Sequence, residues 1–418
     1  MGTHCSPYGA VVTCHFEGFV GPEFPETAAD RPPTPQEEIM ARYEMRKFVA
    51  PEFIFGIGAR HRAAFYAQNM QARRAFVVTD PGIAAAGWLD ELTENLHESG
   101  VETVVFAAVT PNPKDHEVMA GAQRYRDEGC DVIVAIGGGS VIDCAKGIGI
   151  VSANGGHILD YEGVDRIPRP GPPLICIPTT AGTAADISQF AIINNTDRHY
   201  KIAIISKSVV PDVALVDPET TTTMPPYLTA CTGLDALTHA IEAYVSTASS
   251  PVVDVHALAA IRLIHANLAS VIDAPQHVEG RENMALASLQ AGLAFSNASL
   301  GAVHAMAHSL GGYLDLPHGE SNALLLDHVI RFNFSAASER YQHIAAIFGV
   351  PGGNERALGA AIAALRQRCG IADGLAARGV THGTIDELAP HAERDACLFT
   401  NPRRASLADL KTIYAEAL

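Results

Sequence analysis

Near Pro218 the hydrophobic period of the chain changes, and two kinds of structure follow from that change. Before it, short β-branched runs (FIFG, RAFVVTD, TVVFAAV, DVIVAIGGG, PLICIPTT, FAIINN, KIAIIS, VALVDP) alternate with amphipathic stretches such as EVMAGAQRYRDEG. That rhythm predicts a mostly parallel sheet flanked by helices, whose ligands sit beyond the carboxyl ends of the strands. After it come long Ala- and Leu-rich segments, among them LTACTGLDALTHAIEAYVS, VVDVHALAAIRLIHANLASVI and RENMALASLQAGLAFSNASL, with no convincing strand. These predict an all-helical unit. A chain of 418 residues also exceeds what one hydrophobic core usually supports. The expected organisation is an α/β domain over 39–217 and a helical domain over 218–418, with a pocket between them. Residues 1–38, proline-rich and acidic without periodicity, read as a mobile arm.

Charge and cysteine usage narrow the partners. A net charge of -17, with no offsetting Lys/Arg cluster, repels phosphate backbones, so small molecules are expected rather than nucleic acid. The eight cysteines form no C-x-x-C, and Cys130, Cys144, Cys176 and Cys231 fall inside apolar runs. Reduced, buried thiols and a cytoplasmic location are the expectation. No run approaches the roughly 18 uninterrupted apolar residues of a membrane span, and the N-terminus lacks the order of a signal peptide. Met1-Gly2 with Ser6 matches a myristoylation pattern formally, but nothing accompanies it. His4, Cys5, Cys14 and His15 fit no closed zinc spacing.

In DVIVAIGGGSVIDCAKGIGI a hydrophobic strand runs into Gly137-Gly138-Gly139-Ser140 and then into a helix. Glycines let the backbone approach a phosphate, and a helix N-terminus presents unpaired N–H groups and a favourable dipole. The motif is neither G-x-G-x-x-G nor a P-loop, and a plain tight turn is the competing reading. A second loop at the equivalent sheet edge carries Thr179, Thr180, Gly182, Thr183 and Asp186, whose hydroxyls suit phosphates or sugar. Asp80, ending RAFVVTD, can accept from both hydroxyls of an adenosine ribose and repel a 2'-phosphate, favouring NAD over NADP, or it can cap the next turn.

The helical half carries the metal-ligating pattern. Asp235 and His239 stand four residues apart in TGLDALTHAIEAY, and GAVHAMAHSLGGYLDLPHGES adds His304, His308 and His318. At i,i+4 each pair stacks on one helix face and aims at one point. His318, beyond the Gly311-Gly312 break, is expected to close the site from a loop. One carboxylate with several imidazoles suits Fe(II) or Zn(II), whereas Mg(II) and Ca(II) prefer oxygen shells. Five candidates for about four positions leave one over.

From about Phe53 through Pro402 the chain resembles the iron-dependent (group III) alcohol dehydrogenase family. The likeness lies in TPNPK, AIGGGSVID, PTTAGTAAD, Lys201, VPDVALVDP, MPPYLTACTGLDALTHAIEAY, GAVHAMAHSLGG, LPHGESNALLL and the late NPR. It implies an N-terminal Rossmann-like dinucleotide-binding domain and a C-terminal helical metal-binding domain. It also implies NAD(H) as cofactor and a divalent metal, iron before zinc. By that likeness Asp235, His239, His304 and His318 are the ligands, and His308 is a catalytic imidazole near nicotinamide and substrate. Cofactor contacts fall on Asp80, Asn112, Gly138, Gly139, Ser140, Asp143, Thr179, Thr180, Thr183 and Lys201. Asp186 stands where the family commonly has Glu.

The implied activity is interconversion of a small primary alcohol and its aldehyde by hydride transfer, with the metal as Lewis acid and His308 passing the alcohol proton toward solvent. A transhydrogenase or acceptor-dependent enzyme with tightly held cofactor is the alternative on the same fold. A noncatalytic metal- and nucleotide-binding protein, with His308 closing the metal shell, is the alternative of a different class. Glycerol dehydrogenases and dehydroquinate synthases share the architecture, but the latter need an Arg, Lys and Asn cluster that the apolar pocket motifs lack. Substrates carrying an anionic group need a cation that the sequence does not locate, since Arg198 and His199 read as a solvated hairpin. Ala-rich helices predict a homodimer or larger assembly.

Overall fold

Strands covered on both faces explain why the first half reads as continuous apolar runs. In RAFVVTD, Phe76, Val77 and Val78 have no exposed surface, and Val132 to Ile136 are equally buried. Phe76, Val78 and Ile133 pack with Val118, Val141 and Ile148 on one side of the sheet. Ala75, Val77 and Val134 pack with Ala67, Leu92 and Leu96 on the other.

The structure, a computed structural model, describes residues 47–418. The arm expected over 1–38, with Met1-Gly2, Ser6, His4, Cys5, Cys14 and His15, lies outside the described residues, as does the start of the 39–217 span. Nine strands are described: β1 (Glu52–Phe55), β2 (Arg74–Val78), β3 (Glu102–Phe106), β4 (Val132–Gly137), β5 (Gly163–Val164), β6 (Leu174–Pro178), β7 (Phe190–Asn195), β8 (Tyr200–Ile205) and β9 (Val213–Val216). Six of them form a parallel sheet in the order β1-β9-β6-β4-β2-β3. The accompanying helices are α1 (Ala63–Asn69), α2 (Pro81–Ala85), α3 (Trp88–Glu98), α4 (Asp115–Asp127) and α5 (Gly139–Asn154). In the β4–β6 register Gly137 lies opposite Pro178, so the triple-glycine and threonine loops leave the sheet side by side at its carboxyl edge.

FAIINN and KIAIIS depart from the single mostly parallel sheet that the rhythm predicts. They pair antiparallel as β7 and β8 in a separate three-stranded sheet, with β5 alongside β8. Only Thr196 to His199 separate them, too short for the parallel crossover, which needs a dozen or more residues. Arg198 and His199 are exposed in that turn, as expected, and Lys201 follows on β8.

After Pro225 the described elements are helical: α6 (Pro226–Val245), α7 (Pro251–Asp273), α8 (Val278–Ala298), α9 (Ala302–Leu314), α10 (His318–Asn333), α11 (Ser338–Ile347), α12 (Glu355–Arg368), α13 (His382–Arg394) and α14 (Leu407–Glu416), with 3-10 turns at Phe334–Ala336, Leu375–Arg378 and Ala396–Thr400. The period change therefore marks a real change of architecture. Helix α6 is central, buried continuously from Thr229 to Val245. Helix α7 is long and apolar enough to cross a membrane by length and composition, but its Ile261, Ile264 and Leu268 are buried in the helical core.

His318 does not lie on a loop. Helix α9 runs through Gly311 and Gly312 to Leu314, and the break falls at Asp315, in the left-handed region with φ 53°, followed by Pro317. His318 is the first residue of α10. Gly312 therefore serves close packing rather than a break: a Cβ there would stand 2.6 Å from the Tyr200 Cα on β8. Gly312→Ala forces the helix and the hairpin apart, and a loss of about 1–3 kcal/mol of stability is expected, read as a lower Tm and urea midpoint. An unchanged midpoint would contradict this packing.

Candidate active site

Two cavities meet where the carboxyl edge of the sheet faces α6, α9 and α10. The larger, about 670 Å3, is a cleft lined by Asp80, Asn112, Gly138, Gly139, Ser140, Thr179, Thr180 and Thr183, and it extends to Asp235 and His318. The smaller, about 100 Å3, shares Asn112, Gly139, Ser140, Thr183 and His318 with it and adds Asp143, Lys201, His239, His304 and His308. All ten residues expected to contact a cofactor thus line one cavity or the other. Asp186 is buried but lines neither.

Local structure explains these positions. Gly138 precedes the first turn of α5 in extended conformation and supplies no side-chain cap, which leaves the helix's first N–H groups facing the cleft. A Cβ on Gly139 would lie 2.6 Å from Thr183 Oγ1, so only glycine lets the threonine loop close over the helix start. Asp80 does cap its turn: one carboxylate oxygen accepts from the Ile83 N–H at 3.0 Å while the side chain borders the cleft. The two readings of Asp80 are therefore compatible.

A chain of polar contacts crosses the site. Lys201 Nζ donates to Asn112 Oδ1 at 2.8 Å, and Asn112 Nδ2 donates to Asp315 Oδ1 at 2.6 Å. Burial pushes the Lys201 ammonium down to about 8 against the pull of Asp315, Asp143 and Asp235. Burial likewise raises the Asp143 carboxyl to about 6, with Lys146 and the Ile192 N–H acting the other way.

Deeper in, Asp235 and His239 on α6, His304 on α9 and His318 on α10 bring four ligand atoms within 4.8 Å of one another. The Nε2 atoms of His239, His304 and His318 lie 3.9, 3.8 and 3.7 Å from Asp235 Oδ1. Burial opposes charge on Asp235, but His239, His318 and His304 outweigh it and hold the carboxyl well below the usual range. Burial pulls His304 down, while the Asp235 and Glu242 carboxylates pull it up. His239, lacking such a partner set, is lowered by burial to about 4. A buried carboxylate ringed by convergent imidazole lone pairs is a donor set that a divalent transition metal satisfies, so the four residues fit such an ion.

His308, the fifth candidate, stands apart from these four. Its ring stacks on His318 with centroids 5.3 Å apart, and its Nδ1 lies 2.8 Å from Asp395 Oδ2. Burial works against the Asp395 carboxylate, but His308 holds it down to about 2. His308 and Lys201 also border an outer cavity of about 530 Å3 that includes Asp395.

Several residues at the site escape the sequence reading. Glu242 Oε2 lies 2.6 Å from His304 Nδ1, and its other oxygen accepts from the Val303 N–H at 2.7 Å. It follows His239 by three residues on the same helix, a spacing that could have revealed it. Phe295 stacks on His239 at 4.3 Å between centroids. Asp315 and Asp395 carry no local signal, because their partners are distant in sequence, whereas Asn322 stands four residues after His318 on the same helix, a spacing that could have revealed it.

Comparison with known proteins agrees with this geometry. Residues 50–218 match the family described as iron-containing alcohol dehydrogenase, and 229–418 match the C-terminal part of the Fe-containing alcohol dehydrogenase family. Alcohol dehydrogenase 4 of Schizosaccharomyces pombe is 43% identical over 374 residues, covering 89% of each chain. The 1,3-propanediol dehydrogenase of Klebsiella pneumoniae is 40% identical, covering 90% of this chain and 99% of its own. A crystal structure of a 1,3-propanediol oxidoreductase superposes with a TM-score of 0.86 at 39% identity, covering 90% of this chain and all of that one.

Glu242 borders the Nδ1 side of His304, the position that carboxylates take behind metal-binding histidines. Glu242→Ala is expected to weaken Zn(II) binding by about 10–100-fold in a chelator competition. Affinity equal to that of the unmodified protein would show that His304 needs no such support.

Proposed function

The chain belongs to the iron-containing alcohol dehydrogenase family, and on that premise we propose how its two cavities carry out NAD-linked interconversion of alcohols and aldehydes. The observation that carries the reading is the meeting of the cleft and the inner cavity at Asn112, Gly139, Ser140, Thr183 and His318, which sets a dinucleotide end beside the ligand cluster. We read 39–217 as the dinucleotide-binding domain and 218–418 as the metal-binding domain.

Asp80 takes the adenosine ribose hydroxyls and disfavours a 2'-phosphate, giving NAD over NADP. The N–H groups opening α5, with Gly138, Gly139 and the hydroxyls of Ser140, Thr179, Thr180 and Thr183, hold the phosphates. Asn112, Asp143 and Lys201 border the nicotinamide end, where the cleft narrows into the inner cavity. Asp235, His239, His304 and His318 would hold a divalent cation, which would supply Lewis acidity at the alcohol or carbonyl oxygen, and the cleft would hold NAD(H) as the hydride carrier. Iron is the proposed ion by family membership, since intrinsic affinity alone favours zinc.

The inner cavity, about 100 Å3, is walled on one side by Phe190, Ile192, Phe295 and Leu300. That small, partly apolar space suits a short primary alcohol, and the propanediol-acting relative makes a three-carbon diol the first to test. With Asp395 accepting from Nδ1–H, His308 keeps Nε2 as an acceptor, suited to take the alcohol proton and pass it toward the outer cavity. The six described cysteines are free and buried, which supports a reducing compartment, the cytoplasm. A homodimer or larger assembly is proposed from the Ala-rich helical surface.

The test is aldehyde-dependent NADH oxidation by anaerobically prepared protein, stripped of metal and reloaded with Fe(II) or Zn(II), over short, hydroxylated and anionic aldehydes. Activity returns with metal; Asp235→Ala and His304→Ala abolish it, and His308→Ala slows it by about 10²–10⁴-fold. Activity unaffected by metal removal, or by loss of His304, contradicts the proposal.

A further inference from the structure

The carboxamide of Asn322, fully buried on α10, reaches into the ligand cluster. Its Nδ2 lies 2.6 Å from Asp235 Oδ1, 3.1 Å from His304 Nε2 and 3.2 Å from His318 Nε2. Its Oδ1 is buried without a hydrogen-bond partner among the described residues. A primary amide has two N–H groups, so three acceptors crowd one nitrogen while the carbonyl forgoes any donor. A buried carbonyl in that condition costs about 1–3 kcal/mol, and something must hold the amide in this orientation. Three electron-rich atoms converging on one point supply the reason, because that point demands a positive or proton-donating group.

Chemistry divides the three contacts into two kinds. The Nε2 of an imidazole has a single lone pair, which either accepts an N–H or binds a cation. A carboxylate oxygen has lone pairs for both. Coordination by His304 and His318 is therefore mutually exclusive with their bonds to Asn322, whereas the bond to Asp235 survives it.

We infer that Asn322 is a positioning residue that competes with the cation: one amide N–H donates to Asp235 and the other is shared between His304 and His318, and it cedes the two imidazoles but not the carboxylate when the ion binds. This rests on the metal site proposed above. The amide keeps the buried ligand set together and aimed inward, at a cost in metal affinity. Removing it takes both N–H bonds from the cation-free protein and one of them from the loaded protein.

The experiment compares the full-length protein with Asn322→Ala and Asn322→Leu, stripped and loaded with Zn(II), by Tm and by chelator competition. Both variants should lower the Tm of the stripped protein more than that of the loaded one, and should bind Zn(II) about tenfold tighter, the effect of about one neutral hydrogen bond shared by the two imidazoles. Should a stripped variant fail to fold, competition performed on protein purified with Zn(II) reads the same affinity change. Equal Tm losses with unchanged affinity make the amide mere packing and overturn the inference, as does weaker binding, which would make it a support the ion requires. If the unmodified protein neither binds Zn(II) nor gains Tm from it, the metal-site reading fails and takes this inference with it.

Discussion

An ionised carboxylate at the centre of a helix buried along nearly its whole length is the condition that organises the helical half. Asp235 is 1% exposed, and taking such a group out of water costs several kcal/mol unless opposite charge or donors surround it. The cluster answers with three imidazoles from three helices and the Asn322 amide. His304 is itself held by Glu242, a second buried carboxylate. Two acids and three imidazoles in one dry cluster call for added positive charge, which protons or a divalent cation can provide. The packing of α6, α9 and α10 and the chemistry of the site are thus one constraint, because the helices must converge for Asp235 to be tolerated at all.

Convergence alone would give a binding protein; the sheet makes the site reactive. Because β4 and β6 are neighbours in register, their loops stand together at the edge that faces the ligand cluster. The contacts from Lys201 through Asn112 to Asp315 tie the hairpin, the loop after β3 and the end of α9 into one arrangement. Asp315 closes the helix that bears His304 and His308 and lies three residues before His318, so the cofactor cleft and the ligand helices are positioned by a shared residue.

Much of this was legible in the sequence. The change of period at Pro218 separated strands from helices, and the i,i+4 pairs found Asp235, His239, His304 and His308, because regular spacing encodes a shared face. Gly311-Gly312 misled, since glycine in a helix signals either a break or a close approach, and only the neighbouring hairpin decides which. The antiparallel β7–β8 pair was visible in its four-residue connection but was submerged in the surrounding parallel rhythm. Which of five ligand candidates stands aside was not decidable from spacing. It depends on Asp395, 87 positions from His308, and on Asn322, whose meaning lies wholly in what surrounds it.

If Asp235, His239, His304 and His318 hold one divalent cation at the inner end of the cleft, its coordination shell must contain their atoms. X-ray absorption at the iron edge of Fe(II)-loaded protein tests this most directly. A nitrogen and oxygen shell with the outer scattering of three imidazoles, reduced by one in His304→Ala, is expected. A shell without imidazole scattering, or one indifferent to the loss of His304, would contradict it.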